Sequence, residues 1–319
     1  MTTASPDLLA LRDAEKRIAG FAHRTPVATC TTLDRMAGRE LFFKCEQLQK
    51  TGAFKFRGAC NAVLKLPGEV AARGVVAHSS GNHAGATALA ARIKGVPAHV
   101  VMPKNASAAK RRAVLEYGAR IVECDPTQES RETTAAAVVR ETGGTLIPPY
   151  DHPDVIAGQG TCALEFLEQV PRLDAIVVPV GGGGLVSGVC IAVQGVAPSV
   201  RVFAGEPKAA DDAARSKMQN RLVPYSGPTR TIADGLLTSL GELTWPLVRD
   251  CVEAVVVVGE EEIVRAMRLL WERAKLLVEA SSAVALAAVL SDEFRSLQGL
   301  HRVGVVLSGG NVDLEHLPF

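Results

Sequence analysis

Four short stretches of this chain concentrate residues able to do chemistry. Gly181 to Gly184 follow the apolar run AIVVPV and open the segment LVSGVCIAV. Consecutive glycines let backbone N–H groups converge on an anion, and a helix starting there adds its partial positive charge. The segment therefore reads as a phosphate cradle, although a ligand-free strand-to-helix turn would use the same residues. In KTGAFKFRGACNAV, residues 50–63, Lys55 stands between Phe54 and Phe56. Apolar flanks lower an amine's pKa and favour imine chemistry, but a lysine beside aromatics is more often a surface residue with a buried stem. HSSGNHAG, residues 78–85, gathers Ser79, Ser80, Asn82 and His83 where a strand hands over to a helix. The plainer reading there is a helix cap with loop hydrogen bonds. LSGGNVDL, residues 307–314, places Ser308 and two glycines after the last apolar run. That hydroxyl could bond a ring nitrogen, or the segment could be a terminal turn.

The pattern argues against two common phosphate ligands. The dinucleotide fingerprint needs glycines at its first, third and sixth positions. In the three possible frames Val186, Ser187 or Leu185 falls where a glycine is required. A P-loop fails as well, because no Gly-Lys-Ser/Thr follows. Glu206 does end the next strand, where an acidic ribose ligand would sit, and this keeps a nicotinamide enzyme as a rival.

Positioning these stretches requires an alternation of strands and helices. Short β-branched runs lie at 74–79, 98–102, 120–124, 175–180, 201–205, 254–258 and 302–307. They are continuously apolar, as expected of strands buried on both faces of a parallel sheet. Helical segments are expected at 82–93, 107–117, 128–141, 154–169, 184–195, 208–219, 260–273 and 280–290, with an amphipathic helix entered through Ser5-Pro6. The fold class is α/β, with two open, twisted, mostly parallel sheets flanked by helices. The expected division is a large domain of residues 1–70 and 149–319 with a small one, 74–147, inserted in it. The site belongs in a crevice at the carboxyl ends of the strands.

Bulk properties narrow the function. Of 319 residues, 35 are Lys or Arg and 34 Asp or Glu, a net charge of +1, so no nucleic-acid partner is expected. No apolar run is long enough for a membrane span, and the N-terminal segment does not read as a signal peptide. Seven scattered cysteines without a C-x-x-C pair read as buried, reduced thiols in a cytoplasmic protein.

Taken in order, the four motifs resemble the serine/threonine dehydratase and serine racemase family of fold-type II pyridoxal-phosphate enzymes, a tryptophan synthase β-like fold. The resemblance spans roughly residues 15 to 315 and includes HPDVIAGQGTCALEF (152–166), IADGLL (232–237) and LLWERAKLLVEASSAVALAAVLS (269–291). It is nearest the racemase branch. It implies that Lys55 carries pyridoxal 5'-phosphate as a Schiff base and afterwards takes the substrate's Cα proton. It further implies that Gly181, Gly182, Gly183 and Gly184 hold the cofactor phosphate, Phe54 packs on the ring, Asn82 bonds its 3-hydroxyl and Ser308 meets the pyridine nitrogen. Gly235 would line the cofactor face and Glu279 keep its place nearby. Ser79, Ser80, Asn82, His83 and Thr238 would face the substrate.

The resemblance also makes Ser80 a second catalytic residue, opposite Lys55. Threonine dehydratases tend to carry alanine there and racemase-like members serine, whose hydroxyl can move a proton on the second face. Arg131 matches an arginine that reaches the substrate and could pair with a distal carboxylate. Glu206, the Ala210 carbonyl and Asp212 resemble a divalent cation site suited to Mg²⁺, Mn²⁺ or Ca²⁺. An acidic helix start would explain the same carboxylates. Two departures stand out: Ala84-Gly85 follows His83 where animal racemases carry a glutamine linked to nucleotide activation, and EASSA replaces an EPTAG-like turn. The expectation that follows is a homodimeric serine/threonine dehydratase acting on a small amino acid. Serine racemase with dehydratase side activity, 3-hydroxyaspartate dehydratase and a non-catalytic ligand-binding relative are the alternatives.

Overall fold

The computed structural model describes residues 5–79, 81–106, 108–225 and 229–319. Among these residues the strands are β1 (Val27–Ala28), β2 (Glu40–Cys45), β3 (Val75–His78), β4 (Ala98–Pro103), β5 (Arg120–Cys124), β6 (Thr145–Leu146), β7 (Ala175–Pro179), β8 (Arg201–Pro207), β9 (Val252–Val258) and β10 (Arg302–Leu307). They form a six-stranded sheet ordered β1-β2-β10-β7-β8-β9 and a four-stranded sheet ordered β5-β4-β3-β6. The β1–β2 pair is antiparallel, and the other strand pairs are parallel. The expected α/β class with two mostly parallel sheets is what forms.

Burial explains why the central strands were legible. All five residues of β7 are buried, because helices cover both faces of the larger sheet. Val177 and Val305 point into a core with Ala283–Leu286 of helix Ala280–Leu290, while Ile176, Val178 and Val306 meet Ile156, Val189 and Cys190 on the opposite face. Close approach in that second layer depends on small residues. A Cβ on Gly188 of helix Gly184–Val196 would fall 2.5 Å from the Gly160 nitrogen of helix Pro153–Gln169. The smaller sheet is packed in the same way. Val75, Val100 and Met102 face alanines of helix Asn82–Lys94, and Val76 and Val101 face Ala135 and Val138 of helix Gln128–Thr142.

Some elements depart from the sequence pattern. β1, β2 and β6 are additional strands, and helices Thr31–Ala37 and Lys55–Lys65 are additional helices. Helix Lys55–Lys65 shares a buried core with the smaller sheet through Phe56, Ala59, Cys60 and Val63. The expected helix 208–219 is a 3₁₀ turn, Lys208–Ala210, followed by helix Asp212–Gln219. The expected helix 260–273 is α-helical only to Leu269 and closes with a π turn over Leu270–Ala274. Among the described residues, no helix is long and apolar enough to cross a membrane.

Candidate active site

Lys55 is the first residue of helix Lys55–Lys65, with Phe54 before it and the Phe54 ring centroid 5.1 Å from the amine. The Lys55 amine donates a hydrogen bond to the Pro149 carbonyl at 2.7 Å and has no ion pair among the described residues. Burial lowers its pKa to about 8, against the opposing pull of Glu279. Pro149 connects this amine to the glycine loop through the next residue, because a Cβ on Gly182 would fall 2.4 Å from the Tyr150 ring. The loop follows β7 and delivers Gly184 as the first residue of its helix. Gly183 adopts φ +85°, and a Cβ on it would press on Leu240 and Thr244 at 2.7 and 2.8 Å. Thr244 Oγ1 donates to the Gly182 carbonyl at 2.9 Å, and Asp151 accepts the Leu243 and Thr244 N–H groups. Two polar atoms beside the loop, the Gln159 Oε1 acceptor and the Ser187 hydroxyl, are buried with no hydrogen-bond partner among the described residues.

A second set of residues is joined by hydrogen bonds between the two sheets. Ala53 pairs antiparallel with Gly309, and the Ser308 carbonyl accepts the Phe54 N–H at 3.0 Å. Lys55 and the buried Ser308 are therefore held by one short ladder. Asn82 donates to Glu279 Oε1 and accepts from Asn311 Nδ2, both at 2.8 Å. Asn311 also donates through its backbone N–H to Glu279 Oε2 and through Nδ2 to the Thr51 carbonyl. Burial, reinforced by the charge of Asp234, pushes Glu279 up to about 7. Gly235 lies against Ser281, whose hydroxyl accepts its N–H at 2.9 Å, and a Cβ there would come 3.8 Å from Glu279 Oε1.

The expected substrate residues fall into different positions. Ser79 follows β3 and accepts the Gly81 N–H at 3.2 Å. Ser80 lies outside the described residues. Thr238 stands beside the glycine loop, its hydroxyl 3.2 Å from where a Gly181 Cβ would be. Arg131 is partly buried on helix Gln128–Thr142, and its Nε is buried without a partner among the described residues. His83 is buried, with Nε2 donating to the Ile147 carbonyl at 2.7 Å. Burial and then the nearby Lys55 amine lower its pKa to about 3, so the ring is neutral. The proton sits on Nε2, Nδ1 is an acceptor, and the ring has no N–H left for a substrate carboxylate.

The two expected metal carboxylates are both buried. Glu206 is the penultimate residue of β8 and accepts the Ala213 and Ala214 N–H groups, each at 2.9 Å, at the start of helix Asp212–Gln219. Asp212 accepts the Leu240 N–H through Oδ2, whereas its Oδ1 is buried without a partner among the described residues. Burial raises Glu206 to about 8 and Asp212 to about 6. Neither forms an ion pair among the described residues. Two such buried carboxylates, with one orphaned oxygen and the buried Ala210 alongside, suit a hard divalent cation.

Pro149, Tyr150, Asp151, Thr244 and Asn311 complete the site, and none had been singled out from sequence. The only signal was positional: Pro149, Tyr150 and Asp151 directly precede HPDVIAGQGTCALEF, Asn311 lies inside LSGGNVDL, and Thr244 carried no signal. A desolvated amine and a glycine cradle at a helix start, set at the carboxyl end of a parallel strand, together define an enzyme that holds a phosphorylated carbonyl cofactor. Residues 18–309 match the pyridoxal-phosphate dependent enzyme family, and the chain belongs to it. The chain is 54% identical to the serine racemase of Arabidopsis thaliana, over 98% of this chain and 95% of that one. It superposes on maize serine racemase with a TM-score of 0.96 and 50% identity, covering 98% of this chain and 95% of that one. It is also similar to the serine racemase of Dictyostelium discoideum, with a TM-score of 0.93 and 47% identity, covering 98% and 100%. A solved threonine deaminase matches with a TM-score of 0.91 and 44% identity, covering 97% and 99%.

Proposed function

We propose that this chain is a pyridoxal-phosphate-dependent serine racemase that also eliminates water from serine. The observation that carries the proposal is the desolvated Lys55 amine, bonded to a backbone carbonyl and in no ion pair among the described residues, beside the glycine loop. Similarity to serine racemases over nearly the whole chain ranks racemisation ahead of dehydration, reversing the order expected from sequence. The dehydratase reading is kept as a second activity, favoured by the threonine deaminase match.

The residues present fit the cofactor. Gly181 to Gly184 would hold its phosphate, with the buried Ser187 hydroxyl offering a partnerless donor beside them. Phe54, Asn82, Gly235, Glu279 and Ser308 surround its ring. When bound, the cofactor withdraws electrons from the substrate's Cα and makes its proton removable. Lys55 takes or returns that proton on one face, and Ser80 does so on the other. Ser79, Asn82, Thr238 and Arg131 orient the substrate. His83 braces the Asn82 loop on Ile147 and moves no proton. A substrate with a second carboxylate, such as 3-hydroxyaspartate, would reach the Arg131 Nε.

Glu206, Ala210 and Asp212 would hold a divalent cation, and Asp212 ties that site to the glycine loop by accepting the N–H of Leu240, which packs beside Gly183. The smaller sheet, residues 74–147, moves as the closing unit, and two copies of the chain form the working dimer. Seven unpaired cysteines suit the reducing cytoplasm.

The test is to load the protein with pyridoxal phosphate and Mg²⁺, supply L-serine, and measure D-serine and pyruvate together. D-serine at least equal to pyruvate is expected. Ser80→Ala should remove D-serine formation and spare part of the pyruvate. Pyruvate with no D-serine from the unaltered protein would overturn the racemase reading and leave a dehydratase.

A further inference from the structure

Asn311 stands where three segments of the chain meet. Its backbone N–H donates to Glu279 Oε2 at 3.2 Å, and its Nδ2 donates to the Thr51 carbonyl and to Asn82 Oδ1, both at 2.8 Å. Asn82 in turn donates through Nδ2 to Glu279 Oε1 at 2.8 Å. Thr51 belongs to the stretch that leads into Lys55, Asn82 opens helix Asn82–Lys94, and Glu279 directly precedes helix Ala280–Leu290. The turn at Thr51 is shaped for this contact. Thr51 and Gly52 are consecutive left-handed residues, with φ +62° and +73°, a conformation that costs a β-branched threonine free energy. Glycine follows it for a second reason: a Cβ on Gly52 would fall 2.5 Å from Asn311 Oδ1.

Donors and acceptors in this set run one way. The Thr51 carbonyl can only accept, so the Asn311 amide must turn its nitrogen there. The second hydrogen of that nitrogen then requires an oxygen on Asn82. The Asn82 nitrogen is left facing Glu279, where the carboxylate accepts. Turning Asn82 over would set nitrogen against nitrogen at Asn311 and oxygen against oxygen at Glu279. The order starts from a backbone carbonyl, which cannot be reversed, and ends on a carboxylate.

We propose that Asn311 is a positioning residue that fixes the Asn82 amide with its N–H, and not its carbonyl, toward the cofactor's ring oxygen. One hydrogen of Asn82 Nδ2 goes to Glu279, and the other remains for that oxygen. Asn311 acts through Asn82 and moves no proton itself. The inference rests on the pyridoxal-phosphate reading above, in which Asn82 lies against the cofactor ring. Lysine-bound cofactor has two forms that differ in the place of one proton. It sits either on the linking nitrogen, with the ring oxygen charged, or on the ring oxygen. A donated N–H stabilises the charged oxygen and favours the first form, whereas a carbonyl in its place favours the second.

The test replaces Asn311 in the holoenzyme and reads the absorption bands of the two forms at one pH, without substrate. Asn311→Asp keeps the size of the side chain but can only accept, so Asn82 turns to donate to it and presents its carbonyl to the ring oxygen. The ratio of the first band to the second should fall about two- to fivefold, the lower part of the range for one hydrogen bond because Asn311 is exposed to water. Asn311→Ala adds no charge and should move the ratio the same way by less; it decides the outcome where the aspartate variant does not fold. Asn82→Ala should lower the ratio by itself, and adding Asn311→Asp to it should change nothing further. A merely structural role for Asn311 would lower the melting temperature and leave the ratio where it was, and that result would overturn the proposal. An equal shift with Asn82 already removed would overturn it too, by tracing the effect to charge alone. Absence of lysine-bound absorbance from the unaltered protein would remove the cofactor reading as well, whereas an unchanged ratio in the variants removes this inference alone. Neither result depends on whether D-serine or pyruvate is the main product.

Discussion

Lys55 and Arg57 lie two residues apart on one helix, yet their surroundings make one a reagent and the other a structural fixture. The Lys55 amine meets a backbone carbonyl and the Phe54 ring but forms no ion pair among the described residues, and desolvation lowers its pKa to about 8. Arg57 is equally enclosed, but its guanidinium bonds Glu46 through Nε and Nη2, both at 2.8 Å, and Glu165 through Nη1 at 3.1 Å. Burial opposes its charge, and Glu46 and then Glu165 outweigh that opposition, so its pKa rises above the ordinary value. Lys44 completes the cluster by donating to Glu165, Gln169 and the Thr25 carbonyl. The carboxylates show the same contrast. Glu46, beside Arg57, is held below the usual range despite its burial, while Glu279, bonded to amides, is pushed up to about 7. A buried charge with a partner supports the fold, and one without a partner is available for proton transfer.

The sharpest test of this contrast removes the two cations separately. Lys55→Ala should lower both D-serine and pyruvate formation by about 10³-fold or more, with little change in the melting temperature. Arg57→Met leaves Glu46 buried without its cation and should cost about 3–5 kcal/mol of stability in denaturant titrations. Turnover per cofactor-loaded site should then stay within a few-fold of normal. Loss of turnover in Arg57→Met with no loss of stability would erase the distinction.

A milder test uses pH. The neutral form of Lys55 attacks the cofactor aldehyde, and its fraction rises as pH passes through about 8. The rate at which apoprotein acquires lysine-bound cofactor absorbance should rise roughly tenfold between about pH 7 and 9 and then flatten. An ordinary lysine would keep accelerating beyond that range, and such an outcome would show that the amine is not desolvated.

The same contrast explains what could be read from the chain. β7, β8 and β10 were legible because burial on both faces leaves an uninterrupted apolar run. β2 was not, because ELFFKC carries Lys44, a buried cation whose carboxylate lies far away at Glu165. Helix Lys55–Lys65 was hidden for a similar reason: Arg57 reads as a surface residue until Glu46 and Glu165 are brought to it. Within the site, the four consecutive glycines stood out by themselves, whereas Lys55 read alone as a surface lysine and gained its role only from the ordered set of motifs. Pro149 acts through a backbone carbonyl, and Asn311 through bonds to Asn82, Glu279 and Thr51. Nothing in their identities announces those roles. The neutrality of His83 depends on burial and on the nearby Lys55 amine, which outweigh the Ile147 carbonyl, and these are properties of the fold.

The smallest effect comes from removing one hydroxyl in each region. Thr244 Oγ1 donates to the Gly182 carbonyl at 2.9 Å, so it fixes one peptide of the loop that holds phosphate. Thr161 Oγ1 donates to the Gly158 carbonyl at 2.7 Å and accepts from Arg57 Nη1 at 3.3 Å, so it belongs to the ionic cluster. Threonine-to-valine replaces a hydroxyl by a methyl of similar size, and each substitution removes about 0.5–1.5 kcal/mol of hydrogen bonding. In Thr244→Val that energy should appear as a two- to tenfold rise in the cofactor dissociation constant, measured by titrating apoprotein with pyridoxal phosphate. In Thr161→Val it should appear in the denaturation midpoint, with cofactor affinity unchanged. If both variants shift both quantities together, the loop and the ionic cluster form one cooperative unit, and the separation of function from support along this helix fails.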